Sequence, residues 1–123
     1  MSSTRLVTAL SAVATTTTSE AIDIRYAKKV SILLTRAAHN SGNHVFTVTG
    51  SIDGTTYVIC NKLIKNIANA ISEGLTRVAS VTLSANGSEL VSLDLENDSF
   101  HYIKVTATKT TDGTATAIIL IEE

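Results

Sequence analysis

Along most of this chain, apolar and polar residues alternate one for one. Ile22 and Ile24 point one way and Asp23 and Arg25 the other; Val30, Ile32 and Leu34 share a face opposite Ser31 and Thr35. Phe46, Val48 and Ile52 oppose Val45, Thr47, Thr49 and Ser51. The pattern returns in Val81 and Leu83 against Thr82 and Ser84, and in Val91, Leu93 and Leu95 against Ser92, Asp94 and Glu96. Ile103, Val105 and Ala107 close the series against Lys104, Thr106 and Thr108. Successive strand residues point to opposite faces, so a period of two predicts strands with one dry and one wet face. Two sheets packed by their dry faces make an all-β, antiparallel β-sandwich, jelly-roll-like in type.

Turn signals separate the runs. Asn40-Ser41-Gly42-Asn43, Asp53-Gly54, Asn86-Gly87, Glu96-Asn97-Asp98 and Asp112-Gly113 stand between alternating segments. Asp-Gly and Asn-Gly accept the positive backbone angles of tight hairpins, so hairpins are expected there. Three segments break the pattern. Residues 14–19 hold four consecutive threonines and read as an extended polar connector. Residues 61–74 carry Leu63, Ile64, Ile67, Ala68 and Ile71 at helical spacing before Gly74, which predicts a short helix over 62–73, with an irregular crossover as the alternative. The last run, 114–122, is apolar on both faces across Ile118, Ile119, Leu120 and Ile121.

Composition narrows the class. The 123 residues suit one domain over 1–123, with 1–19 as an N-terminal strand and connector. At 44% hydrophobic and 17% charged the chain folds, and a net charge of −1 gives no field for nucleic acid or an anionic membrane surface. No run approaches the roughly 20 apolar residues of a membrane span. Thr4, Thr8 and Ser11 interrupt the apolar residues of the first thirteen, unlike a signal peptide, so synthesis and residence in a cytoplasm are expected. The triplets at Asn86 and Asn97 then read as turns rather than glycosylation sites. Cys60, alone, makes no internal disulfide and is expected as a packed core thiol.

Candidate chemistry is thin. His39 and His44 flank a loop and are expected on a hairpin surface rather than on a metal; nothing near His101 marks it as a base. Asp94, Glu96 and Asp98 at spacing two could offer oxygens to calcium, but the first two fall on the wet face of a strand. No Gly-x-Ser-x-Gly or phosphate-cradling glycine loop occurs, and Lys28-Lys29 and Lys62 with Lys65 are small basic pairs. The sequence predicts a non-enzymatic protein with no cofactor and no metal.

Two resemblances sharpen this. Ala-Ile-Asp-Ile-Arg-Tyr-Ala-Lys-Lys-Val at 21–30, Ser-Ile-Asp-Gly-Thr-Thr-Tyr at 51–57 and Phe-His-Tyr-Ile-Lys-Val-Thr at 100–106 are similar, in that order, to galactose-binding-like (discoidin-type) jelly rolls. That resemblance implies the fold and keeps carbohydrate binding or adhesion as an alternative function, although the group's tryptophans and paired cysteines are absent. The whole chain also resembles the compact, Thr/Ser-rich surface proteins of tailed-phage virions, of the head-decoration (cement) or tail-surface type. This implies a structural protein that assembles on itself or on a capsid or tail protein.

The chain ends place that contact. Leu6, Val7, Ala9, Leu10 and Val13 make the first strand apolar on both faces, as Ile118 to Ile121 do for the last, and no proline or inward charge blunts either strand. A neighbouring chain is therefore expected near Val7, Ala9, Ile118 and Leu120.

Overall fold

The computed structural model describes residues 3–66, 75–95 and 99–123. Its strands are β1 (Thr4–Val13), β2 (Thr17–Thr18), β3 (Ile22–Asp23), β4 (Lys29–Ala37), β5 (Gly42–Ser51), β6 (Val58–Ile59), β7 (Leu63–Asn66), β8 (Leu75–Val78), β9 (Val81–Leu83), β10 (Gly87–Ser92), β11 (Tyr102–Thr111) and β12 (Thr114–Glu122). They form two sheets. The front sheet runs β1-β12-β4-β10-β7-β8; the back sheet runs β2-β11-β5-β6, with β3 also on β11 and β9 on β5. Every described pairing is antiparallel, and the fold is a β-sandwich, as the alternation predicts.

The dry faces meet where the period-two reading put them. Val30, Ile32 and Leu34 of β4 and Ile119 and Ile121 of β12 are fully buried, facing Phe46 and Val48 of β5 and Ile103 and Val105 of β11. Valine and isoleucine suit these positions because their branched carbons restrict rotation least harmfully on a pleated surface. Cys60 joins this core, as expected. Within 14–19 the threonines contribute β2, which pairs with β11.

Four expectations are corrected. Ile52 is 69% exposed, because β5 ends at Ser51 and the alternation stops with it. Asp94 is buried: β10 ends at Ser92, the phase is lost, and Arg77 meets the carboxylate at 3.1 Å. The predicted helix fails at its start, since Leu63–Asn66 is β7, hydrogen-bonded between β10 and β8; residues 67–74, like Glu96 and Asp98, lie outside the described residues. Leu63 is buried and Ile64 half-buried, a strand alternation that the helical spacing of later residues masked.

The fourth correction concerns the turns. Asp53-Gly54 does lie in a hairpin, joining β5 to β6 within the back sheet. The other described signals carry the chain from one sheet to the other: β4 to β5 through 38–41, β9 to β10 through 84–86, and β11 to β12 through Asp112-Gly113. Left-handed backbone serves these corners as well as it serves hairpins, with Gly42 at φ 82° and Gly113 at φ 99°.

Candidate functional site

The outer face of the front sheet is aliphatic. Inward residues fix the phase, so Leu6 of β1, Ile118 and Leu120 of β12, Leu33 of β4 and Leu90 of β10 point out. Register joins them into one stripe, with Leu6 beside Leu120, Ile118 beside Leu33, and Leu33 beside Leu90. Leu6 is 71% and Leu90 57% exposed, and Leu33 and Leu120 stand open between them. Ser31, Thr35, Thr116, Ser88 and Ser92 fill the gaps; Thr35 and Ser88 share a hydrogen bond of 2.8 Å. Among the described strand residues of this face the charges are Lys29, Glu122 and Arg77, all at its margins. Ile118 and Leu120 thus lie on this stripe. Val7 and Ala9 do not: both pack against the core, and on the outward side of β1 it is Leu6 that stands free.

The outer face of the back sheet is different. Thr106 of β11 sits between Thr18 of β2 and Thr47 of β5, and its hydroxyl lies 2.9 Å from that of Thr18. Toward one end the three tyrosines gather. Arg25, bidentate on Asp23 at 2.7–3.1 Å, places its guanidinium 5.8 Å from the ring centres of both Tyr26 and Tyr102. Lys104, two residues on along β11, lies 4.4 Å from the centre of the Tyr57 ring. Beside them Gly50, Ser51, Ile52, Asp53, Thr56, Val58 and Phe100 line a shallow, mostly apolar depression of about 420 Å³. Gly50 has no room for a side chain, because a Cβ would overlap the Phe100 ring. The Asp53 carboxylate accepts the N–H groups of Thr55 and Thr56 at 2.8 and 2.9 Å; these bonds hold it below the usual carboxylate range. The three motifs of the galactose-binding-like resemblance meet here, since β11 pairs with both β3 and β5.

A buried cation organises the opposite corner. Arg36 continues the inward phase of Val30, Ile32 and Leu34 and is 1% exposed. Its Nε donates to His39 Nδ1 at 3.1 Å, one terminal nitrogen to His44 Nδ1 and the Asp112 carbonyl at 2.6 and 2.8 Å, and the other to the Ser41 carbonyl at 2.9 Å. Asp112 in turn accepts the N–H groups of Asn40 and Ser41, which lower its pKa, with Arg36 adding to the effect. The cluster therefore ties the β4–β5 corner to the β11–β12 corner. His44 is wholly buried rather than on a surface, and it follows the inward phase of Phe46 and Val48. Because arginine only donates, His44 Nδ1 must be the acceptor and its ring neutral. Burial first, then Arg36 and Lys109, push its pKa down. Its Nε2 has no protein partner among the described residues. Neither Arg36 nor this role for His44 is among the sequence candidates, although parity carried forward from Leu34 and back from Phe46 would have found both.

Among the described residues no three His, Cys, Asp or Glu side chains come together in a metal-holding group. His39 and His44 accept from one guanidinium, Asp94 pairs with Arg77, and His101 is exposed, edge-on to Tyr102.

No family model and no curated protein matches this sequence. Among solved structures the chain is similar to one described as SPBc2 prophage-derived protein YomS, at 8% identity and a TM-score of 0.72, over 100% of this chain and 96% of that one, a likeness of fold.

Proposed function

We propose that this chain is a non-enzymatic structural protein, a surface component of a phage particle that assembles on itself or docks on a capsid or tail protein, in the host cytoplasm. The observation that carries this reading is the outer face of the front sheet. A solvated sheet face normally carries charged or strongly polar side chains; here five leucine and isoleucine side chains form a continuous stripe bordered by hydroxyls. The structural neighbour, a prophage-derived protein, supports the phage setting. Light scattering of the purified protein and electron microscopy of particles from a producing lysate test the reading. Oligomers, or particles carrying the protein at their surface, are expected. A monomer at high concentration that labels no particle would overturn it.

A specific observation favours a second reading, a carbohydrate-binding or adhesion module. All three tyrosines of the chain converge with Arg25, Asp23 and Lys104 at one end of the back sheet. Rings flanked by charged hydrogen-bonding groups suit a sugar's apolar face and hydroxyls. A glycan array read with the wild type and with Tyr102→Ala separates the two: binding that the substitution abolishes favours this module, and a blank array removes it.

A further inference from the structure

We propose that two copies of this chain pack front sheet against front sheet, about a two-fold axis running along the strands between β12 and β4, with Lys29 of each copy over Glu122 of the other. This rests on the assembly reading and narrows it to one partner and one geometry.

Symmetry is the first argument. In register, β12 and β4 pair Glu122 with Lys29, Leu120 with Ser31, and Ile118 with Leu33. A two-fold axis between these strands exchanges the members of each pair. Ile118 then lands on Leu33 of the second copy, Leu120 on Ser31, and Lys29 on Glu122. A patch whose two halves are complementary across a line is what an isologous contact requires. Any other partner would need a matching surface of its own; a second copy already carries it.

Area and edges agree. Four strands at about 4.8 Å spacing and about nine residues at 3.3 Å rise span on the order of 550 Å² in projection. Side-chain relief brings this toward the roughly 800 Å² per partner of a standard interface. Growth by strand addition at the β1 edge is blocked. β1 carries register shifts between Thr8 and Leu10 and between Leu10 and Val13, with Ala12 at φ 46°. Arg5, in the inward phase at the rim, reaches the Asp23 carbonyl at 2.6 Å. Bulges and an inward charge blunt an edge, contrary to the expectation from sequence, and leave the face as the route to association.

The test uses two variants, each disabled alone. Lys29→Glu sets carboxylate against carboxylate at both symmetry-related contacts across the axis, and Glu122→Lys sets ammonium against ammonium at both. Each should weaken self-association about tenfold or more at low salt, where rim charges are least screened. Mixing the two variants pairs opposite charges at both contacts, so a mixed dimer should form with near wild-type affinity, read by analytical ultracentrifugation or native mass spectrometry. Each chain in that mixture still carries its own like-charged pair on adjacent strands, so a defect confined to the fold would not be repaired by mixing. Circular dichroism confirms that each variant is folded. Leu33→Lys, at the centre, should abolish the dimer; if it unfolds the chain, the charge pair alone decides. An oligomer that ignores the charge pair and the mixing overturns this geometry but leaves the assembly reading intact. A wild-type monomer overturns this inference and self-assembly together, and leaves only docking on another protein.

Discussion

The two sheets share one kind of inner face and differ in the outer one. In the front sheet the outward positions at the centre include Ile118, Leu120, Leu33 and Leu90; in the back sheet they include Thr106, Thr47, Thr49 and Thr108, with Val45 and Lys104 beside them. Both sets suit strands, so strand propensity does not explain the difference. Threonine covers the backbone with a methyl group and keeps a hydroxyl for water. Leucine keeps nothing for water. The front face is thus drier than folding alone requires, while the back face is built to stay wet, with its rings and charges gathered at one end.

The comparison breaks at once if the inner faces are not alike. Phe46→Ala on the back sheet should cost about 3–5 kcal/mol and Ile32→Ala on the front sheet about 2–5 kcal/mol in urea unfolding. A loss under about 1 kcal/mol at either site would mean that the dry face of that sheet has been misassigned.

Acid should act next, at the corner that joins the sheets. His44 is held neutral in the native state and titrates near 6.5 when unfolded, so the unfolded chain binds more protons on acidification. Stability is therefore complete above about pH 6.5 and falls as the pH drops below it. Asp112 and Asp53, both lowered in the folded state, add a second loss below their ordinary value of 3.8. His44→Gln should remove the first loss from a series of thermal melts across pH and keep the second. A melting temperature that is flat from pH 7 to 5 in the wild type would contradict the buried neutral ring.

The smallest effect on folding should separate the outer faces most sharply. Leu33→Thr and Thr47→Ser should each change unfolding free energy by less than about 1 kcal/mol. Only Leu33→Thr should reduce association, in sedimentation runs at matched concentration. Equal behaviour of the two would erase the distinction between the faces.

Much of this was legible in the sequence. Strand phase was, because it needs only a period of two: Val30, Ile32, Leu34, Phe46, Val48, Ile103 and Val105 all fall inside as read. What turn chemistry conveys is narrower. Asp112-Gly113 announces that the chain bends, but the sheet it returns to is decided by distant strands, and here it changes sheet. Residues 63–66 misled for a related reason. Four residues fit either period, and the partners β10 and β8 decided between them. Parity also carried more than was taken from it, since Arg36 and His44 lie in phase with their buried neighbours and polarity alone hid them. The tyrosine cluster was beyond reach, because it depends on β11 lying between β3 and β5. Ile118 and Leu120 were legible as surplus apolar residues; Leu6, rather than Val7 or Ala9, became visible only once its register beside Leu120 set its phase.

The order of the strands has a consequence for the chain as it is made. β12 lies between β1 and β4, and β11 lies between β5 and the short strands β2 and β3. Both belong to the final stretch, Tyr102 to Glu122. Until that stretch leaves the ribosome, β1 has no described neighbour, β4 has one flank open, and β5 holds only β6 and β9. A nascent chain stalled before Tyr102 therefore offers a protease separate, half-paired fragments. Once the stretch from Tyr102 to Glu122 has emerged, the strands of both sheets should resist digestion together, so that folding closes as one late event of synthesis.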